Sequence, residues 1–167
     1  TFTHGCPGTE EDENLNTYID IKSRRSTYFP DYAFDRMENK QLAFVGHTHE
    51  PFISILKKED EQEDFNESSL PDSLRLDFNQ EDTKKVLINA GSVGQPRGTD
   101  KRACYLIFTE YGNNIYDINF RRISYNIKEA QDAIKKYWRE YCQKQVNEGY
   151  KDFERHINDF YLADRLG

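Results

Sequence analysis

The run Leu42-Ala43-Phe44-Val45-Gly46-His47-Thr48-His49-Glu50-Pro51 constrains the fold more than any other segment. Four apolar residues halted by a glycine read as a short buried strand. Two imidazoles then follow in the loop beyond its C-terminal end. Neutral imidazole is the commonest protein ligand for a transition metal. In a tight loop, side chains separated by one residue can face one site and meet different ions. The competing reading is a polar turn after a strand, without a metal.

A third histidine occupies a similar setting near the start, in Thr3-His4-Gly5-Cys6-Pro7. Only Thr1-Phe2-Thr3 precede it, too few for a strand of typical length. This predicts upstream sequence that completes the element, against the alternative of a short lead-in with an exposed His4. Cys6 has three open roles: a soft ligand, a redox-sensitive neighbour or a packing residue. His156 lies among Phe153, Ile157, Phe160 and Tyr161 and reads as a surface or packing histidine.

The third glycine-punctuated segment is Ala90-Gly91-Ser92-Val93-Gly94-Gln95-Pro96-Arg97-Gly98, after the strand Lys85-Val86-Leu87-Ile88-Asn89. Ser92 and the backbone N–H groups suit an anion, and Arg97 can reach a phosphate. Tight turns and close strand packing explain the same glycines equally well. The spacing and the missing lysine exclude a P-loop.

The remaining elements follow from periodicity. Pro30 and Asp31 start a helix carrying Ala33, Phe34 and Met37. Residues 9–20 suit another short helix. Phe52 to Leu56 and Ala103 to Phe108 read as strands, Leu74 to Phe78 as an edge strand, and Tyr116 to Phe120 as a strand with one wet face. Lys57 to Asp64 is charged throughout and reads as a solvated excursion. Ile127, Ala130, Ile134, Tyr137, Trp138 and Tyr141 are placed on one face of a long helix that Gly149 interrupts.

Composition narrows the function. The 23 basic and 30 acidic residues give a net charge of -7, against the basic footprint of a nucleic-acid binder. A small phosphate-bearing substrate stays open, because bound cations reverse the local field. Three scattered cysteines define neither a zinc finger nor a disulfide framework, which fits a reducing, cytoplasmic setting. No apolar run of about 18 residues is present, so no membrane span is expected.

The three histidine- and glycine-containing segments together resemble the calcineurin-like metallophosphoesterase superfamily, with the small YfcE-type phosphodiesterases as the nearest branch. The segments are Thr3-His4-Gly5-Cys6-Pro7, Phe44-Val45-Gly46-His47-Thr48-His49 and Asn89-Ala90-Gly91-Ser92-Val93-Gly94-Gln95-Pro96-Arg97. The resemblance covers residues 1–134, with an acidic insertion at about 57–81 and a helical C-terminal extension at 135–167. It implies an α/β fold, the C-terminal portion of a four-layer α-β-β-α sandwich with two mixed sheets. It implies that His4 and His47 bind the second of two divalent metals and His49 the first. Manganese is the first choice; iron, nickel and zinc are the alternatives.

The Asp-x-His, Gly-Asp and Asn-His motifs of that superfamily do not occur here. The bridging aspartate and the remaining ligands then lie in an upstream half of the domain, and this chain alone is not expected to catalyse. Cys6 replaces the usual serine. The resulting expectation is a metal-dependent phosphoesterase acting on a small phosphate ester, preferably a diester, through a dinuclear site completed by the upstream half. The rival is a noncatalytic scaffold or interaction module of the same fold. The insertion and the helical tail are candidate surfaces for a partner or a homo-oligomer.

Overall fold

The computed structural model describes residues 2, 4, 30–79 and 82–150. The expected helix at 9–20, Cys6 and the segment around His156 lie outside the described residues. The chain divides into two compact units, Thr1–Ile123 and Ser124–Gly167.

The first unit contains α1 (Pro30–Arg36), β1 (Leu42–Val45), β2 (Phe52–Lys57), β3 (Gln62–Phe65), β4 (Ser73–Asp77), β5 (Thr83–Asn89), β6 (Ala103–Gly112) and β7 (Ile115–Ile123). One sheet has the order β1-β5-β2-β3 and the other β4-β7-β6. The first sheet is mixed, because β1 runs parallel to β5 while β2 is antiparallel to β5 and β3. The three described strands of the second sheet run antiparallel.

Apolar patterning stacks the layers. Phe44, Ile53, Ile55, Val86 and Ile88 point from the first sheet onto Leu76, Cys104, Ile118 and Phe120 of the second. The opposite side chains of the first sheet, Ala43, Val45, Phe52 and Leu87, receive Ala33, Phe34 and Met37 from α1 and its C-terminal turn. Strands β1, β2 and β5 are thus apolar on both faces because both are covered. The unit is layered helix, sheet, sheet.

The charged run after β2 differs from a plain solvated excursion. It turns at Asp60 and returns as β3, an exposed edge strand paired with β2. Polar cross-strand pairs supply the pairing in place of an apolar face. Ser54 is fully buried and donates to Asp64 directly opposite, and Lys57 pairs with Glu63.

The second unit contains α2 (Ile127–Asn147), capped by Asn126, whose side chain accepts from Glu129 N. Its more buried positions include Ile127, Ala130, Ile134, Trp138 and Cys142. Tyr137 and Tyr141, expected on that face, are 69% and 38% exposed. Steps of four from Ile134 through Trp138 to Cys142 follow one stripe, and the tyrosines fall about 100° off it. Residue 134, the expected end of the first domain, lies within this helix. No helix among the described residues is long and apolar enough to cross a membrane.

Candidate metal and phosphate site

Register brings the glycine loops together. Val45, the last residue of β1, lies opposite Asn89, the last of β5, and Asn89 also faces Phe52, the first of β2. The loop 46–51 and the loop 90–102 therefore leave the same end of one sheet. Phe2 joins the far side of β1 through a parallel bridge to Phe44, where the two rings stack at 4.7 Å. This places His4 beside Gly46, whose N–H donates to the His4 carbonyl at 2.9 Å.

Two histidines meet directly. His4 Nε2 and His47 Nδ1 share a hydrogen bond of 2.8 Å, with the rings edge to face. His49 is held separately: its Nδ1–H donates to the Gln95 carbonyl at 2.8 Å. That bond selects the tautomer with an unprotonated Nε2, the arrangement a metal-binding histidine adopts when a carbonyl orients it. Burial first, then the His4 ring, the Arg97 guanidinium and His49, hold the His47 pKa below its usual value. The neutral, ligand-competent ring is thereby favoured.

The loop conformation costs energy. His47 and His49 adopt φ of 70° and 63°, in the left-handed region. Histidine enters that region more readily than most residues, yet a penalty of about 1 kcal/mol each is expected. Asn89 offsets it. Its fully buried side chain donates to the Gly46 carbonyl and to Thr48 Oγ1, both at 2.9 Å, and accepts from Gly91 N–H at 2.9 Å. One amide thus ties both loops to the end of β5. Sequence reasoning passed over this role; the signal is a polar residue closing the apolar run Val86-Leu87-Ile88.

Ser92 helps build its own loop, accepting Gln95 N–H on its hydroxyl at 3.0 Å and Cys104 N–H on its carbonyl at 2.9 Å. Gly91 has φ of 82°, and an added Cβ would stand 3.0 Å from that of Cys104, so only glycine fits. Arg97 donates to Gln95 Oε1 at 3.3 Å, while its Nε is buried without a hydrogen-bond partner among the described residues.

The far limb of the loop is fixed by charge. Asp100 accepts Arg102 N–H and chelates that guanidinium, with the shortest contact 2.6 Å, and pairs with Arg122 at 3.3 Å. The Arg102 bond is the main reason the Asp100 pKa falls to about 2. A depressed carboxyl stabilises the fold above its unfolded pKa, and that stability disappears as pH falls through the folded value. Asp100→Asn should therefore cost about 1–2 kcal/mol near neutrality, allowing for partial solvent screening. The gap from wild type should close between about pH 4 and pH 2. Urea denaturation across that range checks this; a constant gap would refute it.

Adjacent ligands on an ion with bonds of about 2.0–2.1 Å stand roughly 3 Å apart. The His4–His47 contact fits one edge of such a polyhedron. No group of three or more His, Cys, Asp and Glu side chains suited to a metal occurs among the described residues. Among the described residues the candidate donors are an imidazole pair, His4 and His47, and the separately oriented His49.

No family model matches the chain. An uncharacterized protein of Methanocaldococcus jannaschii is 39% identical over 108 residues, which span 65% of this chain and 39% of that protein. The crystal structure of a metallophosphoesterase from Sphaerobacter thermophilus matches with a TM-score of 0.55 at 22% identity, covering 99% of this chain and 52% of that one. The chain thus spans about half or less of these two proteins. The fold is the α/β sandwich with two packed sheets seen in the Sphaerobacter thermophilus protein.

Proposed function

We propose that this chain is the C-terminal portion of a metal-dependent phosphoesterase and that His4, His47 and His49 are metal ligands. The observation that carries the proposal is the His4–His47 contact, two imidazole nitrogens 2.8 Å apart delivered from separate segments to the end of one sheet. In this reading His4 and His47 hold one divalent ion and His49, oriented by Gln95, holds a second. A metal pair supplies activation of water and stabilisation of phosphoryl oxygens. An upstream half of the domain contributes the carboxylates. Arg97 offers its guanidinium to the phosphate, and Ser92 keeps the loop in shape. Manganese is the proposed metal, a diester the proposed substrate, and the small YfcE-type phosphodiesterases the proposed branch.

The test compares this chain with the longer product of its gene, assaying bis(p-nitrophenyl) phosphate and the corresponding monoester with manganese, iron, nickel and zinc. Manganese-dependent hydrolysis of the diester by the longer protein, with little by the chain alone, is expected. A longer protein inert with every metal would overturn the proposal. That outcome would favour a noncatalytic module of the same fold, a reading supported by the absence of a three-donor cluster among the described residues.

A further inference from the structure

The acidic excursion between β2 and β5 reaches the loop of the candidate site through Glu67. Glu67, in the turn between β3 and β4, accepts from Thr99 N–H at 2.8 Å, Thr99 Oγ1 at 2.7 Å and Asp100 N–H at 3.0 Å. Gly98 is shaped to admit it: a Cβ there would stand 2.1 Å from Glu67 Oε1. A carboxylate accepting several hydrogen bonds, two of them from backbone N–H groups, is a strong local anchor. It joins segments 32 residues apart in sequence.

What the anchor holds is the limb that leads back to the histidines. From Thr99 the chain passes through Gly98 and Arg97 to the buried Pro96 and then Gln95. Proline's fixed φ makes that passage stiff. The Gln95 carbonyl orients His49, and the Gln95 side chain accepts from Arg97. At its other end the loop is tied by Gly91 to Asn89 and by Ser92 to Cys104. Displacing Glu67 leaves that near end and the Asp100–Arg122 pair in place and loosens the stretch 95–99 between them, so the Gln95 carbonyl is the site group expected to shift.

We infer that Glu67 is a positioning residue that clamps the 91–102 loop and thereby sets the tautomer of His49 and the place of Arg97. The functional meaning rests on the phosphoesterase reading; the clamp itself does not. On this account the charged excursion between the strands serves the site through Glu67.

The test reads the His49 tautomer by nitrogen NMR on the full chain, without metal and with the ring neutral. Wild type should show the Nδ1–H form. Glu67→Ala should shift the ratio toward the Nε2–H form by about fivefold, the worth of one hydrogen bond. Glu67→Gln, which keeps one acceptor oxygen, should give an intermediate ratio. Gly98→Ala expels the carboxylate by another route and should reproduce the shift. Leu76→Val, in the core, should lose stability and leave the tautomer alone, separating positioning from general destabilisation. If Glu67→Ala fails to fold, Glu67→Gln and Gly98→Ala decide the matter. Folded variants with an unchanged tautomer would overturn the clamp. If the chain shows the shift and the longer protein, with the upstream half present, binds no manganese, the clamp stands and the phosphoesterase reading alone fails.

Discussion

Asn89→Leu should lower unfolding free energy by about 2–4 kcal/mol, a large share of a small domain's stability. The substitution keeps the branching of the side chain but puts larger methyl groups in place of its polar atoms, so lost hydrogen bonds and overpacking both contribute. Asn89 is fully buried and uses both donors and its acceptor. The three bonds are not equal. The Gly46 carbonyl still accepts from Thr48 N–H, and Thr48 Oγ1 still meets the Glu50 backbone. Gly91 N–H, in contrast, loses the acceptor that fixes it. Asn89→Asp separates the parts. It keeps that acceptor but places a carboxylate against the Gly46 carbonyl, so its loss should be comparable at neutral pH. Part of that stability should return in acid, as the introduced carboxyl protonates and can donate. Urea denaturation of both variants measures this. Losses below about 1 kcal/mol for both would mean that the loops do not depend on the amide.

Asn89 also marks where sequence reading reaches its limit. The strand, the glycine and the two histidines of residues 42–49 are legible because each signal is local: an apolar run, a breaker, then the ligand types. Helix α1 was legible for the same reason, with Pro30 at its start and Ala33, Phe34 and Met37 at helical spacing. The positions of Asn89 and Glu67 say nothing comparable. Each acts through a partner set by register between distant segments, and no period in the chain records that pairing. Strand β3 escaped for a related reason. Its residues lack the apolar alternation expected of a strand, and the pairing rests on polar partners such as Ser54 and Asp64. In α2, small errors of phase matter: choosing Tyr137 and Tyr141 over Cys142 rotates the buried stripe by one residue.

The left-handed conformation of His47 leads to the other large expected effect. His47→Gly should reduce metal affinity by more than about 100-fold, beyond the 10–100-fold typical of losing an orienting partner. Stability should stay level or rise by up to about 1 kcal/mol. The two changes point in opposite directions for a physical reason. At φ of 70° a residue with a Cβ is strained, and glycine is not. The His47 contact with His4 is exposed, and a bond of that kind contributes little to folding. His4→Ala should reduce affinity for the same ion without relieving strain. Combining it with His47→Gly should cost much less than the sum of the two, because either change already dismantles the pair. Titration calorimetry with manganese, and with zinc as the tighter imidazole-binding ion, provides the affinities. Thermal denaturation provides the stabilities. Unchanged affinity in both single variants would remove His4 and His47 from the metal site, and a marked loss of stability in His47→Gly would make the turn a structural element.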